Sequence, residues 1–255
     1  MALERTLVQI RERPLVEILD LALAVIRSRP LTLGLAALAG IAPFVVLNDL
    51  LFRALGNESA GISLFLWLLE APIATAPLTV VLGKLMFDRN VSINLVASTL
   101  VRSAVPLIVI NGFLRIVLFF LIPSRLAFAN EVILLEGGRW WSIIRRGGDL
   151  CSGRAGELFL LGWLQILLVY TFATLSYLGT GRIVQVFMAE DLTWDLPGQS
   201  VFDSLRFQIP VWLVAAFFGV VRFLTYIDQR IRLEGWEVEL RLRSVSRTIR
   251  EDRRW

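Results

Sequence analysis

Ile62–Val81 reads ISLFLWLLEAPIATAPLTVV, twenty residues carrying one charge, Glu70. An α-helix needs about 20 mostly apolar residues to cross roughly 30 Å of hydrocarbon. A helix apolar on every face belongs in a membrane or deep inside a large protein. We therefore read about 62–83 as a spanning helix. Working outward, four more segments qualify, at about 31–53, 104–122, 155–178 and 207–226. The whole chain agrees with them. Its 255 residues are 56% hydrophobic and 19% charged, against about 45–50% apolar and about 25% charged in soluble domains. Residues 1–255 are expected to form a single all-α domain, a polytopic transmembrane helix bundle.

The gaps between spans set the topology. Lys and Arg number five in residues 1–30, none in 54–61, three in 84–103, four in 137–154, one in 179–205 and eight in 227–255. Rich gaps belong on the cytoplasmic side and poor ones outside. Both termini then lie inside, which requires an even number of crossings. Five is odd, so a return leg is expected within 123–136. Pro123 interrupts the preceding helix there, and the run is short enough to require burial inside protein. Both ends are therefore expected on the cytoplasmic side of the membrane. The start of the chain does not have the form of a signal peptide.

Three stretches read as cytoplasmic interfacial amphipathic helices. They are 15–27 after Pro14, 91–102, and 139–146 with Trp140 and Trp141 among arginines. Residues 231–250 read as a cytoplasmic C-terminal helix, because Val238, Leu242, Val245 and Ile249 recur at helical spacing. The external loop is expected at 179–205, with Glu190, Asp191 and Asp195 solvated.

Polar residues inside spans carry the sharpest functional expectation, since a charge at the bilayer centre costs about 2.5–3.5 kcal/mol. Glu70 lies eight residues below Ile62, roughly 12 Å, and Arg115 eleven residues above Ala104, roughly 16 Å. The depths agree, so an intramembrane Glu70–Arg115 pair is expected. Asn48, Asp49, Asn111, Glu157 and Gln165 read as structural or interfacial, and Arg222 as snorkelling to the inner face. Prolines 72, 77, 106, 123 and 210 imply kinks.

Composition excludes much chemistry. There is no histidine, so His-based triads, HExxH zinc sites and His relays are ruled out. The lone Cys151 allows no internal disulfide or cluster. No phosphate-cradling glycine loop appears. No cofactor and no metal is expected. The net charge of +4 points to anionic lipid headgroups and not to nucleic acid.

Two motifs remain. The first runs from Phe128 to Gly153, FANEVILLEGGRWWSIIRRGGDLCSG, with Glu136, Gly137, Arg146, Leu150 and Gly153 at its marked positions. The second closes the last span with Tyr226, Asp228, Arg230, Arg232, Glu234 and Gly235. Together they resemble the glycerophosphoryl diester phosphodiesterase membrane domain and its relatives among bacterial multi-pass proteins. Gly147 departs from that pattern, which has Ser. The resemblance implies the same order of surface helices and spans. It carries no reaction over to this chain, because in that family the hydrolase is a separate domain. The charges of the second motif suit local Asp228–Arg232 and Arg230–Glu234 pairs, or a tie to the 136–146 loop through Glu136.

The functional expectation is a non-enzymatic membrane module that binds lipid or scaffolds a membrane or cytoplasmic protein partner. The alternatives are a transporter or lipid-handling protein using Glu70 and Arg115, and a lipid-directed membrane enzyme working through Asp, Glu and Arg.

Overall fold

The computed structural model describes residues 14–55, 59–86, 92–114, 127–137, 140–151, 153–188 and 204–234. Among these there is helix and no strand. We number the helices α1 (Leu15–Ser28), α2 (Pro30–Leu55), α3 (Ser59–Ala74), α4 (Ala76–Leu85) and α5 (Ile93–Ile108). Then follow α6 (Ala129–Glu131), α7 (Trp140–Cys151), α8 (Ala155–Met188) and α9 (Leu205–Glu234). A π-helical turn, Val109–Leu114, prolongs α5, and a second, Val132–Glu136, prolongs α6.

Four helices are long and apolar enough to cross a membrane: Pro30–Ala54, Ile93–Gly112, Ala155–Ile183 and Arg206–Leu233. Their outward faces are apolar. Leu31, Leu35 and Leu38 on α2, Val101 and Val105 on α5, and Phe159, Trp163 and Leu167 on α8 are all exposed. An apolar belt of that extent needs lipid around it. α9 is the central helix, packed against α8, α1, α4 and α7. Its second half joins α1, α4, α6 and α7 in one core, and its first half joins α2, α3 and α8 in another.

Several boundaries differ from the sequence expectations. The span at 62–83 is two helices, broken at Thr75. Pro77 lies in the first turn of α4, and without an N–H it cannot continue the helix bonding of α3. Within the stretch 91–102, Ile93–Arg102 form no separate surface helix. They are the first half of α5 and continuous with the span expected at 104. Helix α8 runs ten residues past 178, into the stretch expected as external loop. Ile231–Glu234, expected to open a C-terminal helix, are the last turn of α9. Residues 115–126, 189–203 and 235–255 lie outside the described set. With them go Arg115, the first four residues (123–126) of the expected return leg, the acidic loop residues, Gly235 and the rest of 231–250.

The two short amphipathic helices spend their apolar faces on protein. On α1, Ile18, Ala22 and Val25 recur at helical spacing and are buried, with α9 as the main neighbour. On α7, Ile143, Leu150 and Cys151 are buried while Ser142, Arg145 and Asp149 face outward.

Candidate functional site

Three clusters of polar side chains stand out among the described residues. The first is at the end of the bundle where α6, α7 and α9 meet. Gly137 ends the α6 π-turn with φ 66°, and Gly153 joins α7 to α8 with φ 87°. Both conformations favour glycine, which accounts for two positions of the central motif. Leu150 of that motif is buried, and Arg146 Nε donates to Glu136 Oε2 at 3.1 Å. Tyr226 Oη donates to the other oxygen, Glu136 Oε1, at 2.7 Å, and its ring packs on Phe128. Arg230 Nε lies 3.8 Å from Glu136 Oε1, with its guanidinium over the Tyr226 ring.

Asp228, two residues past Tyr226 on the same helix, is 3% exposed and forms a second hub. Its Oδ2 accepts from Arg154 Nη1 at 2.7 Å and from Arg232 Nε at 2.9 Å. Arg154 also pairs with Glu157 at the start of α8. Burial alone would lower the Arg154 pKa, but Glu157 and Asp228 outweigh it and hold the value above the ordinary one. The two carboxylates thus tie the 136–146 segment, the α7–α8 joint and α9 together. The side chain of Glu234 lies outside the described set.

The second place is the break between α3 and α4. Arg222 Nε donates to Glu131 Oε1 at 2.6 Å, and its Nη2 donates to Thr75 Oγ1 at 3.1 Å. Thr75 Oγ1 donates in turn to Ala71 O at 2.8 Å. Asn130 Nδ2 donates to Pro72 O at 2.6 Å, and Asn111 Nδ2 donates to Asn130 Oδ1 at 2.7 Å. A helix break leaves backbone groups without partners, and in lipid these must be satisfied from within the protein. Asn130 and Thr75 do part of that here. Both π-turns start or end within two residues of this cluster, a common position for such turns. Arg222 therefore does not snorkel to the inner face. It is paired inside the bundle with a carboxylate of zero exposure. Sequence reasoning missed Glu131 because it sits in a short segment whose depth depended on an unsettled crossing. The only available signal was a carboxylate in the return leg opposite an arginine in the last span.

The third place is near the other end. Glu70 is 7% exposed, and its partner among the described residues is Asn48, whose Nδ2 donates to Oε2 at 2.7 Å. The expected Arg115 partner lies outside the described residues. Asp49 pairs instead with Arg53 on its own helix at 2.8 Å.

No family model, curated protein or solved structure matches the chain. Among the described residues, no group of three or more His, Cys, Asp or Glu side chains is placed to hold a metal.

Proposed function

We propose that this is a non-enzymatic module of a bacterial inner membrane, with both termini cytoplasmic, whose basic end holds anionic lipid headgroups or a partner protein. One observation carries the reading. Glu136 and Asp228 between them engage Arg146, Tyr226, Arg230, Arg154 and Arg232, locking several elements into one end of the bundle. A preorganised surface loses less entropy on binding than a flexible one. Both carboxylates are committed as acceptors to these side chains, an arrangement suited to architecture. On the outer face of α7, Arg145 is exposed. The positive-inside count supports a cytoplasmic position for this end. The resemblance of the same two motifs to the membrane domain described above supports a membrane role.

A photo-reactive amino acid at Arg145 tests this in living cells. The expected adduct is an anionic lipid or a cytoplasmic protein, while the same probe at Leu213, exposed on α9, captures bulk lipid only. Identical adducts from both positions would overturn the proposal.

A second reading, transport or lipid handling through the membrane interior, draws on the broken helix and the cross-linked polar groups around Thr75. Discontinuous helices of this kind line substrate sites in transporters. Flux into proteoliposomes that disappears in Glu70→Gln favours that reading.

A further inference from the structure

Six side chains on three helices close a circuit near the end of the bundle opposite the basic platform. Trp67 on α3 stacks on Phe207 of α9 with centroids 5.7 Å apart. Five residues along α9, Trp212 meets Phe44 of α2 at 6.3 Å. Asn48 lies one turn beyond Phe44 on α2 and donates to Glu70, and Glu70 lies one turn beyond Trp67 on α3. Asn48, Trp67 and Trp212 are 1%, 5% and 3% exposed. Asn48 is seven residues from Leu55, Glu70 eleven from Ser59 and Trp212 seven from Leu205. At about 1.5 Å per residue they lie about 10–17 Å inside the helix ends.

The circuit is chemically incomplete. Asn48 Oδ1, Trp67 Nε1 and Trp212 Nε1 are buried and have no hydrogen-bond partner among the described residues. Each such group costs several kcal/mol in hydrocarbon. Because the oxygen and nitrogen of one amide share a carbon, Asn48 Oδ1 sits beside the Glu70 carboxylate. Two acceptors, one of them a carboxylate oxygen, therefore lie together on helices that also carry these four aromatic rings. Such a set recognises a cation that carries N–H donors: the carboxylate and amide accept, and the ring faces attract the charge. The two indole N–H groups add donors for an oxygen on the same molecule.

We infer that Glu70, Asn48 and the surrounding rings form a binding site for an ammonium group carried near an oxygen, as in an amino alcohol, free or as the headgroup of a lipid. The site is separate from the basic platform and does not depend on the function proposed for it.

The test uses the full chain in nanodiscs, with thermal unfolding as the readout. In phosphatidylglycerol nanodiscs, ethanolamine is expected to raise the Tm saturably, while sodium at equal ionic strength and neutral ethylene glycol do not. Glu70→Gln is expected to weaken the apparent affinity at least tenfold. Asn48→Ala is expected to weaken it several-fold, as is Glu70→Asp, which keeps the charge and guards against a failure to fold. A lipid source is distinguished by exchange. If phosphatidylethanolamine nanodiscs give the raised Tm without ethanolamine, and Glu70→Gln loses it while Glu70→Asp keeps part of it, the headgroup is the ligand. If only free ethanolamine acts, the ligand is soluble. A Tm shift that sodium reproduces, that survives Glu70→Gln, or that never appears with either amine source would overturn the assignment.

Discussion

Glu131 Oε1 accepts from Arg222 Nε at 2.6 Å, and Glu131 has no exposed surface. Removing one member of a buried pair strands the other, at a cost of about 3–5 kcal/mol, whereas replacing both by apolar residues is often close to neutral. Glu131→Ala and Arg222→Met are each expected to destabilise by that amount in detergent-titration unfolding, and the Glu131→Leu, Arg222→Met double variant by much less. Additive costs in the double variant would show that the two do not act as a pair. Cys151 gives a second prediction at this scale. Burial, with a contribution from the Glu131 charge, pushes its thiol up to about 11, against the pull of the Phe128 and Ala127 backbone. Since the thiolate reacts, roughly a thousandth of the thiol is reactive at pH 8. Maleimide labelling of the folded protein should therefore run more than a hundredfold slower than that of a free cysteine, and accelerate as pH rises toward 11. Residues of the motifs were legible in the sequence because they are spaced along one helix end or held at special backbone angles. The Glu131–Arg222 pair was not, because its members are 91 positions apart.

Among the elements, the α3–α4 break is held from both sides by glycine. A Cβ on Gly40 of α2 would stand 2.0 Å from Ala74 O, and one on Gly219 of α9 would stand 3.1 Å from Thr75. The Ala74 contact is with backbone and cannot give way as a side chain does. Gly40→Ala is expected to destabilise by about 1–3 kcal/mol through forced separation of α2 from the break. Gly162→Ala, in open space on the outer face of α8, is expected to stabilise by up to about 1 kcal/mol in the same unfolding assay. Equal effects at the two positions would remove the packing argument. Span existence was readable from apolar runs alone. The break was half readable, because Pro72 and Pro77 announce a kink without saying whether the helix bends or stops. Helix lengths were poorly readable. Apolar content marks where lipid begins and ends, whereas α8 and α9 run on into polar sequence because helical bonding and packing continue there.

At the scale of the whole molecule, α9 passes through both packed cores, and the polar groups of each level converge on it: Trp212 near one end, Arg222 within, Tyr226 and Asp228 at the other. That organisation was invisible in the sequence, where the last span looks like the others, since centrality is a property of neighbours. The topology drawn from the basic gaps gives a prediction of its own. In a Cys151→Ser background, Arg27→Cys and Arg145→Cys should react with an impermeant thiol reagent from the cytoplasmic side and Arg182→Cys from the outside. Labelling of all three from one side would invert the account. The central claim, that the latched basic end exists to hold a lipid or a protein, is tested most directly by native mass spectrometry of the full chain released from its own membrane in mild detergent. The account predicts a retained anionic lipid or a stoichiometric protein partner, lost in an Arg145→Glu variant that still folds. Release of the bare chain, or a bound species indifferent to that charge reversal, would contradict it.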